Sequence, residues 1–327
     1  MPEKILITGA AGFIGYNMAC ELLNKTDSLL YLVDNLQRGR WDTDFERLVE
    51  NPRVEFYKRD LRSPKAFSDL PDVNYIFHLA AIVGVRNVVN NASEVLKTNL
   101  LATLGVIDYA RECSNLRGMT FSSTSEVYAG TLKHFGAEIP TPEDTPITLT
   151  DLNQERTTYA LSKITGEVIF NIDSIRSQVP TTIVRYHNIY GPRMGYMHVI
   201  PELYYRMRQH QEVEVFSPFH TRSFCFIEDA VRMTRILSLA SSENGTYNIG
   251  NASEELSIMT LAGKIRDVED MSCKLIPGNV TQGSPERRCP DIEKLEIKLG
   301  RQEFITLDDG LKKTVEWYRD RLGERFE

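Results

Sequence analysis

The chain has few features that would tie it to a nucleic acid, a membrane, a metal or an oxidising compartment. Its 327 residues carry 38 Lys and Arg against 45 Asp and Glu, a net charge of −7, and no basic run. A cationic footprint for nucleic acid is therefore missing. Cysteines are scarce: Cys20, Cys113, Cys225, Cys273 and Cys289 form an odd, scattered set with no CxxC spacing. That distribution fits buried thiols in a reducing compartment better than disulfides or zinc. The six His are equally dispersed and argue against a metal site. No apolar run is long enough to cross a bilayer, and Met1-Pro2-Glu3-Lys4 leads straight into a strand with no room for a signal peptide. The expectation is a cytoplasmic protein without membrane or nucleic-acid partners.

What is present is a glycine-rich turn between a strand and a helix. Ile5-Leu6-Ile7 reads as a buried parallel strand, and the apolar spacing from Phe13 to Leu23 is helical. Between them lies Thr8-Gly9-Ala10-Ala11-Gly12-Phe13-Ile14-Gly15. In that context Gly9 permits the tight turn, Gly12 lets backbone approach a pyrophosphate, and Gly15 allows close helix–strand packing. The phosphates would meet the free N–H groups at the helix N-terminus. A second apolar run, Leu29 to Val33, ends in Asp34. A carboxylate there accepts from a ribose diol and repels a 2′-phosphate, which favours NAD over NADP. Arg38 and Arg40 follow closely and leave a phosphate partner as the alternative.

A second constellation sits on a predicted helix. Tyr159 and Lys163 are four residues apart, so phenol and ammonium share a face. A bare YxxxK is more often a surface lysine beside a half-buried tyrosine. On a chain that also carries a dinucleotide turn, it reads as a proton-transfer pair in which nearby positive charge favours phenolate.

Strand-like segments at Val54–Tyr57, Tyr75–His78, Met119–Ser122 and Thr182–Val184 alternate with helix-like segments near 94–113 and 157–177. Such alternation predicts an α/β, Rossmann-like doubly wound parallel sheet with a smaller C-terminal substrate-binding domain. The division is residues 1–178 for NAD, with a return segment near 222–248, and mainly 179–327 for substrate. No repeat or flexible linker interrupts the chain.

Taken in order, the GxxGxxG turn, Asp34, Asp60, His78-Leu79-Ala80-Ala81, Ser122-Ser123-Thr124, Tyr159/Lys163 and Arg185-Tyr186-His187-Asn188-Ile189-Tyr190-Gly191-Pro192-Arg193 resemble the extended short-chain dehydrogenase/reductases that modify nucleotide sugars. The resemblance runs from Ile5 to Tyr318, and the glycine spacing is that family's own. It implies a nucleotide-sugar enzyme working through a 4-keto intermediate. Gly9, Gly12, Phe13, Ile14 and Gly15 would surround the pyrophosphate, Asp34 and Asn35 the adenosine ribose, and Asp60-Leu61 the adenine. Leu79, Ala80, Ala81, Asn99 and Ser122 would line or steady the cofactor channel. Tyr159 would be the base at the C4 hydroxyl, Lys163 would hold the nicotinamide ribose and lower the Tyr159 pKa, and Thr124 would bond the same sugar oxygen. Asn188, Arg193, Arg222 and Arg288 would hold the nucleotide diphosphate or sugar, guanidinium forks being suited to phosphate oxygens.

Thr124-Ser125-Glu126 carries a carboxylate two residues past the threonine, as in 4,6-dehydratases and UDP-glucuronate decarboxylases. Arg156 and the Gly191-Pro192-Arg193-Met194 string are closer to the decarboxylases. The resemblance therefore implies decarboxylation or 4,6-dehydration, with 4-epimerisation as the alternative and a non-catalytic NAD(H)-binding protein as the remote one. It also implies a homodimer, because relatives pair the two helices whose stripes here are Leu96, Leu100, Leu104, Ile107 and Ile164, Val168, Ile169, Ile172.

Overall fold

The computed structural model describes residues 1–84, 88, 90–240, 242–281 and 284–321. Seven strands make the central sheet: β1 (Lys4–Thr8), β2 (Leu29–Asp34), β3 (Val54–Lys58), β4 (Tyr75–His78), β5 (Gly118–Thr124), β6 (Thr181–Tyr186) and a seventh, Gly245–Ile249. Their order is β3-β2-β1-β4-β5-β6-seventh, and every neighbouring pair runs parallel. The order reverses between β1 and β4, which opens a crevice at the carboxyl ends of those strands. Ligands bind at that switch point in doubly wound sheets.

Continuous apolar strands are the reason the sheet is covered on both faces. Ile5, Ile7, Leu30, Leu32 and Phe77 enter one core, while Leu6, Val33, Ile76 and Phe121 enter the other. The second face is closed by the helices Ala92–Glu112 and Glu155–Ser177, which pack along each other. The first face carries the helix Phe13–Lys25 against Ile227–Ala240.

Past Tyr186 the chain builds short sheets over the strand ends. Thr221–Ser223 pairs antiparallel with Glu255–Ser257 and parallel with Arg287–Arg288. Glu212–Val215 pairs with Lys274–Pro277, and Ile189–Tyr190 with Cys225–Phe226. The helices Val199–Gln209, Ile258–Val268 and Leu307–Arg319 contribute Tyr204, Leu261 and Tyr318 to the core that also holds Ile5 and Ile7. This C-terminal structure therefore shares its core with the sheet. The weak alternation after residue 180 conceals these helices, although Thr306 and Ser257 cap two of them by accepting from Asp309 and Thr260 N–H groups. No helix among the described residues is long and apolar enough to span a membrane, and all five cysteines are free.

Candidate active site

The glycine turn is built for close approach. Gly9 adopts φ +71°, and a Cβ there would lie 2.7 Å from the Ala80 backbone. A Cβ on Gly15 would lie 2.1 Å from the Gly9 carbonyl oxygen, so the helix can only pack this tightly without one. Gly12 is the N-cap of Phe13–Lys25 and offers no side-chain cap, so the first N–H groups of the helix are left to a ligand. At the end of β2 the buried Asp34 accepts from Ala11 N–H at 3.1 Å and Leu36 N–H at 2.7 Å. Burial pushes this carboxyl above its usual range, while the two N–H bonds pull it back. Each oxygen keeps a lone pair for a ribose hydroxyl. These residues fit an adenine dinucleotide.

Other residues assigned to the cofactor take more structural positions. Asn35 accepts from Gln37 N–H, and Asp60 is held bidentate by Arg62, which also reaches Glu94. Asn99 fixes the loop after β4: its amide accepts from Ile82 N–H at 2.8 Å and donates to Ile82 O and to Ser162 on the Tyr159 helix. Leu79 N–H donates to Thr8 O, which sets Ala80 and Ala81 over the turn.

Thr124, Glu126 and Tyr159 are half-buried at the floor of the crevice, with Lys163 buried beneath them. Thr124 hydrogen-bonds the Tyr159 side chain and caps the short 3-10 turn Ser125–Tyr128, accepting from Glu126 N–H. Lys163, expected to lower the Tyr159 pKa, is not among the groups acting on that phenol here. Lys163 Nζ donates to Ser122 O at 2.6 Å and lies over the Phe121 ring. Burial and then Glu126 push the phenol up, and only Thr124 and Arg38 oppose them. Burial lowers Lys163 itself to about 7, against the attraction of Glu167. The balance in this environment favours the neutral phenol.

The arginines separate into two groups. Arg288 Nη1 donates to Glu126 at 3.1 Å, and Arg156 lies 3.9 Å from the same oxygen. Burial pushes Glu126 up, but Arg288, Arg156 and Arg222 together outweigh it and hold the carboxyl below its ordinary range. Arg288 Nε is buried with no hydrogen-bond partner. Arg222 backs this cluster, its guanidinium donating to the carbonyls of Thr221, Pro285 and Glu286 and to Ser284 Oγ. Arg193, assigned above to the substrate, is instead a buried tie. It pairs with Asp42, donates to Ala11 O at 3.3 Å and stacks 4.0 Å over Tyr16. A guanidinium so occupied joins the C-terminal structure to the glycine turn. Asn188, at φ +42°, donates to Ser223 O at 2.9 Å. His187 is buried against Asn248 Oδ1.

Sequence reasoning missed a buried network directly below the floor. Glu167 binds Arg185 through two bonds, at 3.0 and 2.7 Å, and accepts from Ser123 Oγ. Arg185 also donates to Tyr128 Oη at 2.7 Å and Glu143 O at 2.9 Å. The available signal was Glu167 standing one further turn along the face shared by Tyr159 and Lys163.

The sheet order and the glycine turn at its switch point define a dinucleotide-binding α/β enzyme. Residues 5–250 match the NAD dependent epimerase/dehydratase family, and the chain belongs to it. A UDP-N-acetyl-alpha-D-glucosaminuronate decarboxylase of Bacillus cytotoxicus is 31% identical, over 98% of this chain and 99% of that protein. UDP-glucuronic acid decarboxylase 1 of Arabidopsis thaliana is 29% identical over 98% of this chain and 70% of its own length. Among solved structures, the UDP-glucose 4-epimerase of Thermotoga maritima, determined with UDP-glucose, superposes with a TM-score of 0.81 at 26% identity, over 98% and 99% of the two chains.

Proposed function

We propose that this enzyme decarboxylates a nucleotide-linked hexuronate through a 4-keto intermediate, using NAD. The observation that carries the reading is the cage around Glu126: the Arg288 and Arg156 guanidiniums reach one carboxylate beside Tyr159, with Arg222 behind them. The surplus positive charge and the unpartnered Arg288 Nε suit a second carboxylate, that of the sugar at C6. Decarboxylases among the relatives matched over 98% of this chain support it.

NAD, when bound by Gly9, Gly12, Gly15 and Asp34, supplies a reversible hydride acceptor for the sugar C4. Tyr159 takes the C4 hydroxyl proton, with Thr124 bonded to the same oxygen. The C6 carboxylate then stands β to a ketone. The C5–C6 bond breaks, CO₂ leaves, and the electron pair passes to the C4 oxygen, where Tyr159 and Thr124 donate to the enolate. A proton from solvent is taken up at C5, the hydride first removed from C4 returns there from the reduced cofactor, and Tyr159 gives its proton back to the C4 oxygen. Glu126, held ionised by its arginines, orients that cage. Loss of a C6 hydroxyl as water would need an acid at that position, and an arginine-held carboxylate is a poor one.

Supporting parts of the reading are residues 1–178 with the 222–248 return for NAD, mainly 179–327 for the nucleotide sugar, and a cytoplasmic homodimer. The dimer rests on Leu101, Leu104, Val168, Ile172 and Ile175, which are exposed on the paired helices Ala92–Glu112 and Glu155–Ser177. Ile107 is instead buried in the second core and Ile169 packs against it. The test is to incubate the protein and NAD with UDP-, GDP-, CDP- and dTDP-linked sugars and uronates. Release of CO₂ from a uronate supports decarboxylation. Loss of water from a hexose would replace it with dehydration, and an isomer of unchanged mass with 4-epimerisation.

A further inference from the structure

Every element that carries a proposed catalytic group is bonded to one buried ion pair. The pair is Glu167 with Arg185, whose side chains are 7% and 6% exposed. Glu167 follows Lys163 by one turn on the helix that also bears Tyr159, and both are buried. Ser123, between the carbonyl that receives Lys163 and the Thr124 hydroxyl, donates to Glu167. Through Arg185 the pair grips Tyr128, the last residue of the turn that presents Glu126. Tyr128 Oη in turn donates to Asn248 Oδ1 at 2.9 Å, on the seventh strand.

Burying charge in this way is costly, and an apolar pair of similar volume often serves stability as well or better. The surroundings of Lys163 give the charge a use. Facing the ammonium are the Phe121 ring and Ser122 O from β5, and His78 from β4. Burial and Lys163 together hold His78 down at about 3, so it stays neutral; it bonds Thr8 at 2.7 Å and Thr103 of the helix Ala92–Glu112. Asn99 and Ser162, also neutral, lie alongside. Tyr159, on the same helix, is pushed toward the neutral phenol by burial and Glu126. Glu167 is the negative group that attracts Lys163, and Arg185 orients it from β6.

We propose that Glu167 is a positioning residue of the active site, supplying the counter-charge of the buried Lys163 while, with Arg185, it locks β5 and the Glu126 turn to the Tyr159 helix. The inference rests on Tyr159 working as described under the proposed function, but its test does not need turnover.

The measurement is the titration of Lys163 by NMR in protein labelled at lysine ¹³Cε, alone and saturated with NAD, with the resonance assigned by Lys163→Met. Glu167→Gln should lower the Lys163 midpoint by about one pH unit, a roughly tenfold loss of the protonated form above both midpoints. Glu167→Asp should recover part of it. The double variant Glu167→Gln/Arg185→Met removes both charges and should regain thermal stability while the midpoint stays low. A Lys163 midpoint unchanged in Glu167→Gln would overturn the proposal. If the substrate panel gives no product while the midpoint still moves, the proposed reaction fails and the role of Glu167 stands.

Discussion

At the scale of single residues, the site divides into groups that touch ligand and groups that hold them. Asp34 keeps two lone pairs beyond its bonds to Ala11 and Leu36, and these suit a ribose diol. Asp34→Ala should cut NAD affinity by roughly ten- to a hundredfold, about 1.5–3 kcal/mol for hydrogen bonds to a charged group, and leave NADP affinity nearly unchanged. Calorimetric titration of both cofactors checks this, and equal wild-type affinities would refute the role. Tyr159→Phe should lower kcat by roughly 10²- to 10⁴-fold with NAD binding retained, as for loss of a general base. Glu126→Gln should still form NADH in a single turnover but decarboxylate slowly, since the arginine cage loses its organiser. Full turnover in Glu126→Gln with product mass equal to substrate mass would leave the 4-epimerase reading. These side chains were legible in the sequence because their chemistry depends on short spacing: i to i+4 for Tyr159 and Lys163, and two residues from Thr124 to Glu126. Arg193 misled because a guanidinium reads alike whether it meets a phosphate or a buried Asp42, and only folding brings position 42 to position 193.

At the scale of elements, the strands of the first half announced themselves through apolar runs such as Ile5-Leu6-Ile7, which burial on both faces requires. The seventh strand, Gly245–Ile249, did not. Its Gly245, Thr246 and Asn248 read as turn residues, yet Asn248 is fully buried because Glu143, Thr141, Asp291 and Tyr128 satisfy it. Those partners lie more than forty residues away, so no local pattern carries them. The C-terminal helices were hidden in the same way by loops rich in Gly and Pro, although Thr306-Leu307-Asp308-Asp309 is a capping signal of the right form. Between the paired helices and solvent, the exposed Leu104, Val168 and Ile172 make the assembly testable. Val168→Glu should turn a dimer into a monomer in light scattering at micromolar concentration without a large fall in Tm. A wild-type monomer would show that the stripe only packs locally. The Arg193 tie is an element-scale joint as well. Arg193→Met leaves the half-buried Asp42 carboxylate with the Phe45 N–H alone and should cost up to roughly 3 kcal/mol, read as a fall in Tm.

At the scale of the whole molecule, the buried titrating groups set how stability follows pH. Burial holds His78 and His187 at about 3, with Lys163 adding to the effect on His78 and Arg288 and Arg185 to that on His187, against the Asn248 hydrogen bond. In the unfolded chain a histidine takes up its proton near pH 6.5. Between about pH 6.5 and 3 the unfolded state therefore binds more protons than the native one, and stability falls as pH falls through that window. Lys163 acts at the other end. Its native value of about 7 lies below the unfolded value near 10.4, so between those limits the unfolded chain again holds the extra proton. The cost of burying the ammonium is thus greatest below pH 7 and is relieved as pH rises, which adds stability on the alkaline side. Denaturant melts from pH 4 to 9 should show stability climbing steeply up to about pH 6.5 and still rising above pH 7. His78→Gln should flatten the acidic limb, and Lys163→Met the alkaline one, each leaving the other limb in place. An acidic limb unchanged in His78→Gln would mean that the neutral histidine below the active-site floor does not set the acid sensitivity of the fold.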